Sequence, residues 1–532
     1  MSRQNSNSNE DIKVNKGKHS VGYVAIIIMA ISLGGKVFGL LRELLLAKFF
    51  GTDIVADVYL MSYTIPAILF GALPAIGVGF TPVYFEINEN KEKNQFLNNV
   101  LCSCILFALL CVAFTYFGAK NIVTICAPGF NSSAQELTVS FLKVTVWSIV
   151  LNTPVQILTS YLNCKGRYVH SNFSNLSVSL VQVLFIALAA KFDIYLLPFG
   201  FIVPYCIQFG WLLFAACNNE FKPHFHIKYD KNIKKLLLSV IPICISNILV
   251  DINGFVDKFL ASYLPSGRLA ALNYSFTLRA VFVTVCSTVI VTIFYPKISE
   301  LIASNDRKHI KSLICKWLDI LMVVIIPLNI LGIVLSKYGI RLVFMRGNFT
   351  EESLILTIEP FIMYMFSLSI IVIRELIIRI LYAKGDTKSN LYYGSITIGI
   401  NVVLSMIFVK NMQHVGLALA TTLSAALTFP LYINKLIDVV EGINLRQSIK
   451  KMEKIMISSF IMMLAVIGTE LLVDSWSVRL GVNSAFLKLL GLSGIALVVY
   501  ILMLRAFHID EAEWLFQKIN IILKRKKDID NE

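Results

Sequence analysis

The chain has 532 residues, of which 56% are hydrophobic and 15% charged, with a formal net charge of +15 and a mean hydropathy of +0.72. Soluble domains carry about 25% charged residues, so this chain lacks the polar surface that water demands and reads as an integral membrane protein. The basic excess does not call for a nucleic-acid partner, because Lys and Arg collect on the cytoplasmic loops of membrane proteins.

Residues 1–20 are polar and rich in Asn, Ser and Lys. They read as a cytoplasmic tail, and the apolar block after them is too long for the core of a cleavable signal peptide. Apolar blocks able to cross the hydrocarbon core follow at about 21–50, 56–82, 96–119, 137–164, 171–190, 194–217, 233–264, 268–296, 312–344, 352–383, 389–410, 414–437, 455–473 and 484–507. The prediction is an all-α polytopic membrane protein of about 14 transmembrane helices. Several blocks exceed twenty-five residues, which implies tilted or broken helices, with Gly34-Gly35 interrupting the first span and Pro66, Pro74 and Pro82 the second. After the last span, Asp510 and Glu513 form a capping-box pattern, and Trp514, Leu515, Ile519 and Ile522 share one face. The basic tail 508–532 is therefore read as an amphipathic helix lying on the membrane.

Basic residues alternate strongly between connections. Roughly thirty fall on the side of the two termini, from Lys13 to the Lys524-Arg525-Lys526-Lys527 run, against roughly nine on the other. Both termini are expected in the cytoplasm of a bacterial inner membrane. The halves also repeat in parallel. Glu43, Ala47 and Ala56 recur as Asp257, Ala261 and Ala270 at an offset of 214, and Leu162-x-x-Lys165-Gly166 recurs as Leu381-x-x-Lys384-Gly385 at an offset of 219. Six spans per copy give both copies one orientation, related by an axis along the membrane normal. The expected organisation is an N-lobe at 21–217, a cytoplasmic linker at 218–232, a C-lobe at 233–437 and two extra helices within 438–507, with the lobes facing a central cleft.

The ten cysteines lie mostly in apolar blocks and form no CxxC pair, and the seven histidines sit near span ends or in loops. No metal, cofactor or catalytic group is implied. The informative residues are charges inside spans: Lys36, Arg42 and Glu43 in the first, Asp57 at the start of the second, Asp251, Asp257 and Lys258 in the seventh, Arg279 in the eighth, and Arg374, Glu375 and Arg379 in the tenth. At a helix centre each costs about 2.5–3.5 kcal/mol to insert, so they face a polar cavity or one another. A hydrated, net-cationic cleft suits an anionic ligand such as a phosphate or pyrophosphate. Two of the pairs also read as internal neutralisation, Glu43 with Arg42 and Asp257 with Lys258. Asp57, beside a short external loop, reads equally as a gate or helix-capping residue and as a ligand contact.

Several stretches resemble the MurJ/MviN family of lipid II flippases, within the multidrug/oligosaccharidyl-lipid/polysaccharide exporter superfamily. They include Gly35-Lys-Val-Phe-Gly-Leu-Leu-Arg-Glu43, Ala47-Lys-Phe-Phe-Gly51, Ala56-Asp-Val-Tyr59, Ala127-Pro-Gly-Phe130, Phe344-Met-Arg-Gly-Asn-Phe349 and Tyr382-Ala-Lys-Gly-Asp-Thr387. The resemblance implies a fourteen-helix fold with a cationic cavity that opens alternately to each side and carries undecaprenyl-pyrophosphate-linked sugars outward. In its terms Lys36 and Arg42 fall at two cavity arginines, Glu43 at the acidic neighbour and Asp57 at the acidic residue opening the second span. Where the family has Pro-Asn-x-x-Arg-Arg this chain reads Pro66-Ala-Ile-Leu-Phe70-Gly71, and the Asp-Arg pair of the eighth span reads Phe276-Thr277, with Arg279 displaced by half a turn.

The function read from this is a flippase moving lipid II from the inner to the outer leaflet, with a coupling ion or the membrane potential as energy source. The alternatives are a flippase for another lipid-linked saccharide such as an O-unit or exopolysaccharide, a cation-coupled drug exporter, or a membrane glycosyltransferase. An exporter of cations predicts an acidic pocket, and a transferase predicts catalytic carboxylates or histidines on a sizeable loop.

Overall fold

In hydrocarbon the backbone must satisfy its own polar groups, and the long elements of this chain do so as helices. A computed structural model describes residues 31, 34–225, 227–228, 230–304, 306–480 and 485–509. The amphipathic tail helix expected beyond Ile509 and most of 1–33 lie outside the described residues. Among those described there is no strand. The helices, in order, are α1 (34–50), α2 (Ile54–Phe70), α3 (Ile76–Glu86), α4 (Asn90–Cys126), α5 (Ser132–Thr145), α6 (Ser148–Cys164), α7 (Tyr168–Lys191), α8 (Phe199–Cys217) and α9 (Lys231–Ala261). Then follow α10 (Arg268–Val289), α11 (Tyr295–Ala303), α12 (Arg307–Val334), α13 (Ser336–Phe344), α14 (Glu351–Phe366), α15 (Leu368–Ala383), α16 (Lys388–Val439), α17 (Arg446–Leu480) and α18 (Ala485–Ala506).

Among the described residues nine helical segments are long and apolar enough to cross a membrane, and eleven when two bent pairs each count as one span. The 52 residues of α16 make two crossings, because Gln413 takes a left-handed φ of 51° with ψ −134° and breaks the helical path there. With α9 and α1 in the seventh and first predicted spans, this accounts for the fourteen. The protein is a multi-pass membrane protein. Its apolar exterior fits that solvent: Leu110, Phe114 and Phe117 of α4 are 63%, 68% and 87% exposed at helical spacing, a stripe that water would not tolerate.

The breaks fall only partly where proline predicts them. Pro66 and Pro82 lie inside α2 and α3, and the 51° bend between those helices sits at the Gly71–Ala75 junction that holds Pro74. Gly34 and Gly35 do not interrupt the described part of the first span. Their missing side chains instead let α1 approach α7, since a Cβ on Gly34 would stand 3.3 Å from the Leu176 side chain.

The irregularities repeat. Ile76, where α3 starts after its break, corresponds at the offset of 214 to Ile290, the first residue of the π-helical turn Ile290–Phe294. Pro82 corresponds in the same way to Pro296. The span Ser132–Cys164 breaks at Val146-Trp147, and its counterpart Glu351–Ala383 breaks at Ser367. Lys165 and Lys384 are each followed by a glycine of positive φ, 72° at Gly166 and 81° at Gly385. Features that recur at a fixed offset are the mark of a duplicated six-helix unit.

By packing, the chain forms two compact units, Met1–Ala270 and Ala271–Glu532. In the first, α2 packs on α5, α3 on α6 and α7 on α8, and α9 lies against α2, α3 and α4. In the second, α14 and α15 pack on α16, and α12 packs on α17, which pairs with α18. Gly267 shows how closely the first unit is fitted. Its φ is +83°, and a Cβ there would stand 2.1 Å from the carbonyl oxygen of Thr52, a backbone atom that cannot swing aside. Gly267→Ala is therefore expected to destabilise the protein by about 3 kcal/mol or more, read as a lowered midpoint of thermal unfolding in detergent.

Loop ions finish the span ends. Asp386 accepts from the Ser389 N–H at 3.0 Å and its hydroxyl at 2.7 Å, and pairs with Lys435 at 3.0 Å. These bonds, the backbone one foremost, hold its carboxyl down at about 2.

Candidate functional site

Several of the intramembrane charges gather in two clusters, one in each unit. In the first unit the Arg42 guanidinium donates to Glu43 Oε1 from Nε at 3.1 Å and from Nη2 at 2.5 Å, and Nη1 donates to Gln182 Oε1 at 3.2 Å. Glu43 is buried and Arg42 keeps 26% of its side chain exposed. The pair therefore neutralises itself, with the guanidinium on the accessible side. Tyr59, Tyr63 and Tyr205 lie within electrostatic reach of Arg42. Tyr59 and Tyr63 both pack on Phe201, with ring centroids 5.1 and 5.2 Å away.

Lys258 of α9 joins this cluster. Its ammonium donates to Thr64 Oγ1 at 2.7 Å and stands 4.7 Å from the centre of the Tyr63 ring. In the sequence it reads as a partner for Asp257, whereas the fold turns it towards α2. A four-carbon stem places its charge a turn or more from its own Cα, so spacing alone could not assign it. Gln182 was also missed, and its only signal is an amide within the apolar run of α7. Asp257 is half-buried on α9, and Lys36 is exposed on α1 with no ion pair among the described residues.

Asp57 has a different role. It is buried, with Oδ2 accepting the Gly267 N–H at 2.6 Å and Oδ1 the Ala270 N–H at 2.7 Å. Both oxygens are thus spent on the first turn of α10, where unpaired N–H groups and the helix dipole favour a carboxylate. The hydrogen bonds are those of a helix cap.

In the second unit Arg279 is 6% exposed and its guanidinium lies 4.9 Å from the ring centres of both Phe276 and Tyr364. It donates to Ser367 Oγ at 3.2 Å, at the break between α14 and α15, and its Nε has no hydrogen-bond partner among the described residues. Arg374 of α15 lies over Tyr432 at 5.8 Å and within electrostatic reach of Arg279. Among the described residues neither arginine pairs with a carboxylate. Glu375 and Arg379 of the same helix pair with each other and add no net charge. A buried and a half-buried cation held by aromatic faces and one hydroxyl form an arrangement that an anion would relieve. Among the described residues no group of three His, Cys, Asp or Glu side chains could hold a metal ion.

Broken helical spans that carry cations make up a membrane fold also seen in solved transporters. An inward-facing multidrug resistance transporter shares the fold with a TM-score of 0.60 at 11% identity, over 79% of this chain and 99% of the other. Residues 46–487 match the family model described as lipid II flippase MurJ, so the chain belongs to that family. A lipid II flippase solved in an inward closed conformation is similar with a TM-score of 0.79 at 24% identity, covering 91% of this chain and 99% of that one. Probable lipid II flippases of Thermotoga maritima and Vibrio cholerae are 26% and 25% identical, over 92% and 90% of this chain and 98% and 94% of theirs.

Proposed function

We propose that this protein flips lipid II, the undecaprenyl-pyrophosphate-linked peptidoglycan precursor, from the inner to the outer leaflet of the bacterial inner membrane by alternating access. The observation that carries the reading is the Arg279–Arg374 pair, a buried and a half-buried cation with no carboxylate paired to either among the described residues, in a chain of this family. Arg42 with Lys258 in the first unit, and Arg279 with Arg374 in the second, are the groups assigned to the pyrophosphate during transport. Lys36, exposed on the same helix as Arg42, is assigned to its approach, with Glu43, Asp257, Glu375 and Arg379 tuning the charge around it. Both termini face the cytoplasm in this reading, and the chain itself catalyses no covalent step. An inside-negative potential favours outward movement of an anionic headgroup by about 2.3 kcal/mol per charge per 100 mV.

The positions where the family pattern has further basic residues are Phe70, Gly71 and Thr277, which favours a second cargo reading, another lipid-linked saccharide. Depletion of the protein separates the two. Lipid II should accumulate in the inner leaflet within a generation or two of growth, measured by extraction and mass spectrometry. Accumulation of a different saccharide lipid, with lipid II unchanged, would overturn the assignment of cargo.

A further inference from the structure

Two small basic pockets stand at the ends of the spans, one in each unit, and they correspond through the repeat. The pocket of the first unit is lined by Tyr84, Asn90, Lys93, Asn94, Tyr161, Lys165 and Glu220 and holds about 170 Å3. The pocket of the second is lined by Arg307, Lys311, Lys384, Glu441 and neighbouring apolar residues and holds about 100 Å3. Lys93 maps onto Arg307 at the offset of 214, Lys165 onto Lys384 at 219, and Glu220 onto Glu441 at 221. Each pocket thus combines a basic residue opening the third helix of its repeat, the lysine of the Leu-x-x-Lys-Gly turn, and a glutamate after the sixth helix.

In both, the glutamate neutralises only one base. Glu220 pairs with Lys165 at 2.9 Å, and Glu441 with Arg307 at 3.2 Å. Lys93 is left with the face of Tyr84 at 5.3 Å, and Lys384 makes no ion pair among the described residues. Lys311 adds a further charge in the second unit, its ammonium close enough that a Cβ on Gly442 would stand 2.9 Å from it. The walls of the first pocket are braced: Asn94 donates to the Glu220 carbonyl at 2.9 Å, and the Tyr161 hydroxyl to that of Asn219 at 2.7 Å. Volumes of about 100 and 170 Å3 exceed that of a few waters and leave room for a tetrahedral oxyanion.

We infer that these are paired sites for the phosphate of an anionic phospholipid headgroup in the inner leaflet, one per repeat, distinct from the intramembrane arginines. Their place at span ends on the basic side puts them where such headgroups concentrate. Recurrence of the same three-residue chemistry at both copies is more than a general positive surface needs. The inference rests on the orientation of the chain and not on the identity of its cargo.

The test uses the full-length protein in nanodiscs of phosphatidylcholine with and without phosphatidylglycerol, with retained lipid counted by native mass spectrometry. The paired variants Lys93→Gln/Lys165→Gln and Lys311→Gln/Lys384→Gln should each weaken retention of one phosphatidylglycerol by about fivefold per lysine, with phosphatidylcholine unaffected. Lys231→Gln/Lys234→Gln, exposed lysines outside both pockets, should leave retention unchanged, and unfolding midpoints confirm that all variants fold. Equal loss in that control, or no loss in the pocket variants, overturns the inference. Displacement of the lipid by millimolar inorganic phosphate would also overturn it, by making the ligand a free anion.

Discussion

Arg42→Ala is expected to abolish complementation of a flippase-depleted strain while the protein still reaches the membrane. The guanidinium serves two partners at once, Glu43 and Gln182, and keeps its remaining donors on the accessible side. Its loss removes charged hydrogen bonds worth about 1.5–3 kcal/mol, a penalty large enough to lower stability as well as transport. Arg42→Ala/Glu43→Gln separates the two effects, because it removes the carboxylate charge along with the cation. The double variant should regain much of the thermal stability and none of the transport. Arg42→Lys should retain only a small part of the activity, since a point charge cannot reproduce the fork that spans Glu43 and Gln182. Full complementation by the alanine variant would remove Arg42 from the transport path.

Asp57→Ala has the second large effect, and it acts where the second span begins. Two buried N–H groups, those of Gly267 and Ala270, lose their only carboxylate acceptor, and the first turn of α10 loses a charge matched to its dipole. The expected cost is about 2–4 kcal/mol. Asp57→Asn keeps one acceptor oxygen and should recover about half of it. Hydrogen exchange of the 264–272 peptide should accelerate in both variants, more strongly in alanine. If Asp57 only contacted cargo, that peptide would exchange as in the parent while transport fell. We propose that this cap also acts as a gate, since it ties the start of the second span to the start of the eighth. In that case the asparagine variant should lose transport out of proportion to its stability.

Much of the fold was legible in the residues, for reasons that differ between features. Span number and membrane character follow from apolar block length, which hydrocarbon thickness sets without reference to neighbours. The split at Gln413 was legible because a polar Lys410-Asn-Met-Gln-His414 stretch interrupts two apolar blocks. The bends were less so. Proline predicts a lost hydrogen bond, yet Pro66 and Pro82 are accommodated inside helices, and the second span bends at the junction around Pro74. The break at Ser367 has no proline at all, and it emerges only when α14 and α15 pack on α16 and the Ser367 hydroxyl meets Arg279.

By itself the sequence determined that this chain spans a membrane with about fourteen helices, that its halves repeat, and that its intramembrane charges carry a slight basic excess. These are properties of composition, period and offset, and they survive any arrangement of the helices. Only the tertiary structure decided which charges cancel. Adjacent residues such as Arg42 and Glu43, or Glu375 and Arg379 one turn apart, neutralise each other, while Arg279 and Arg374, ninety-five positions apart, come within electrostatic reach of one another with no carboxylate paired to either among the described residues. The physical reason is that a long side chain finds its partner across helices, at a distance that sequence spacing does not encode. Asp57 is the sharpest case: its partners are backbone N–H groups more than two hundred residues away, which no side-chain pattern could announce.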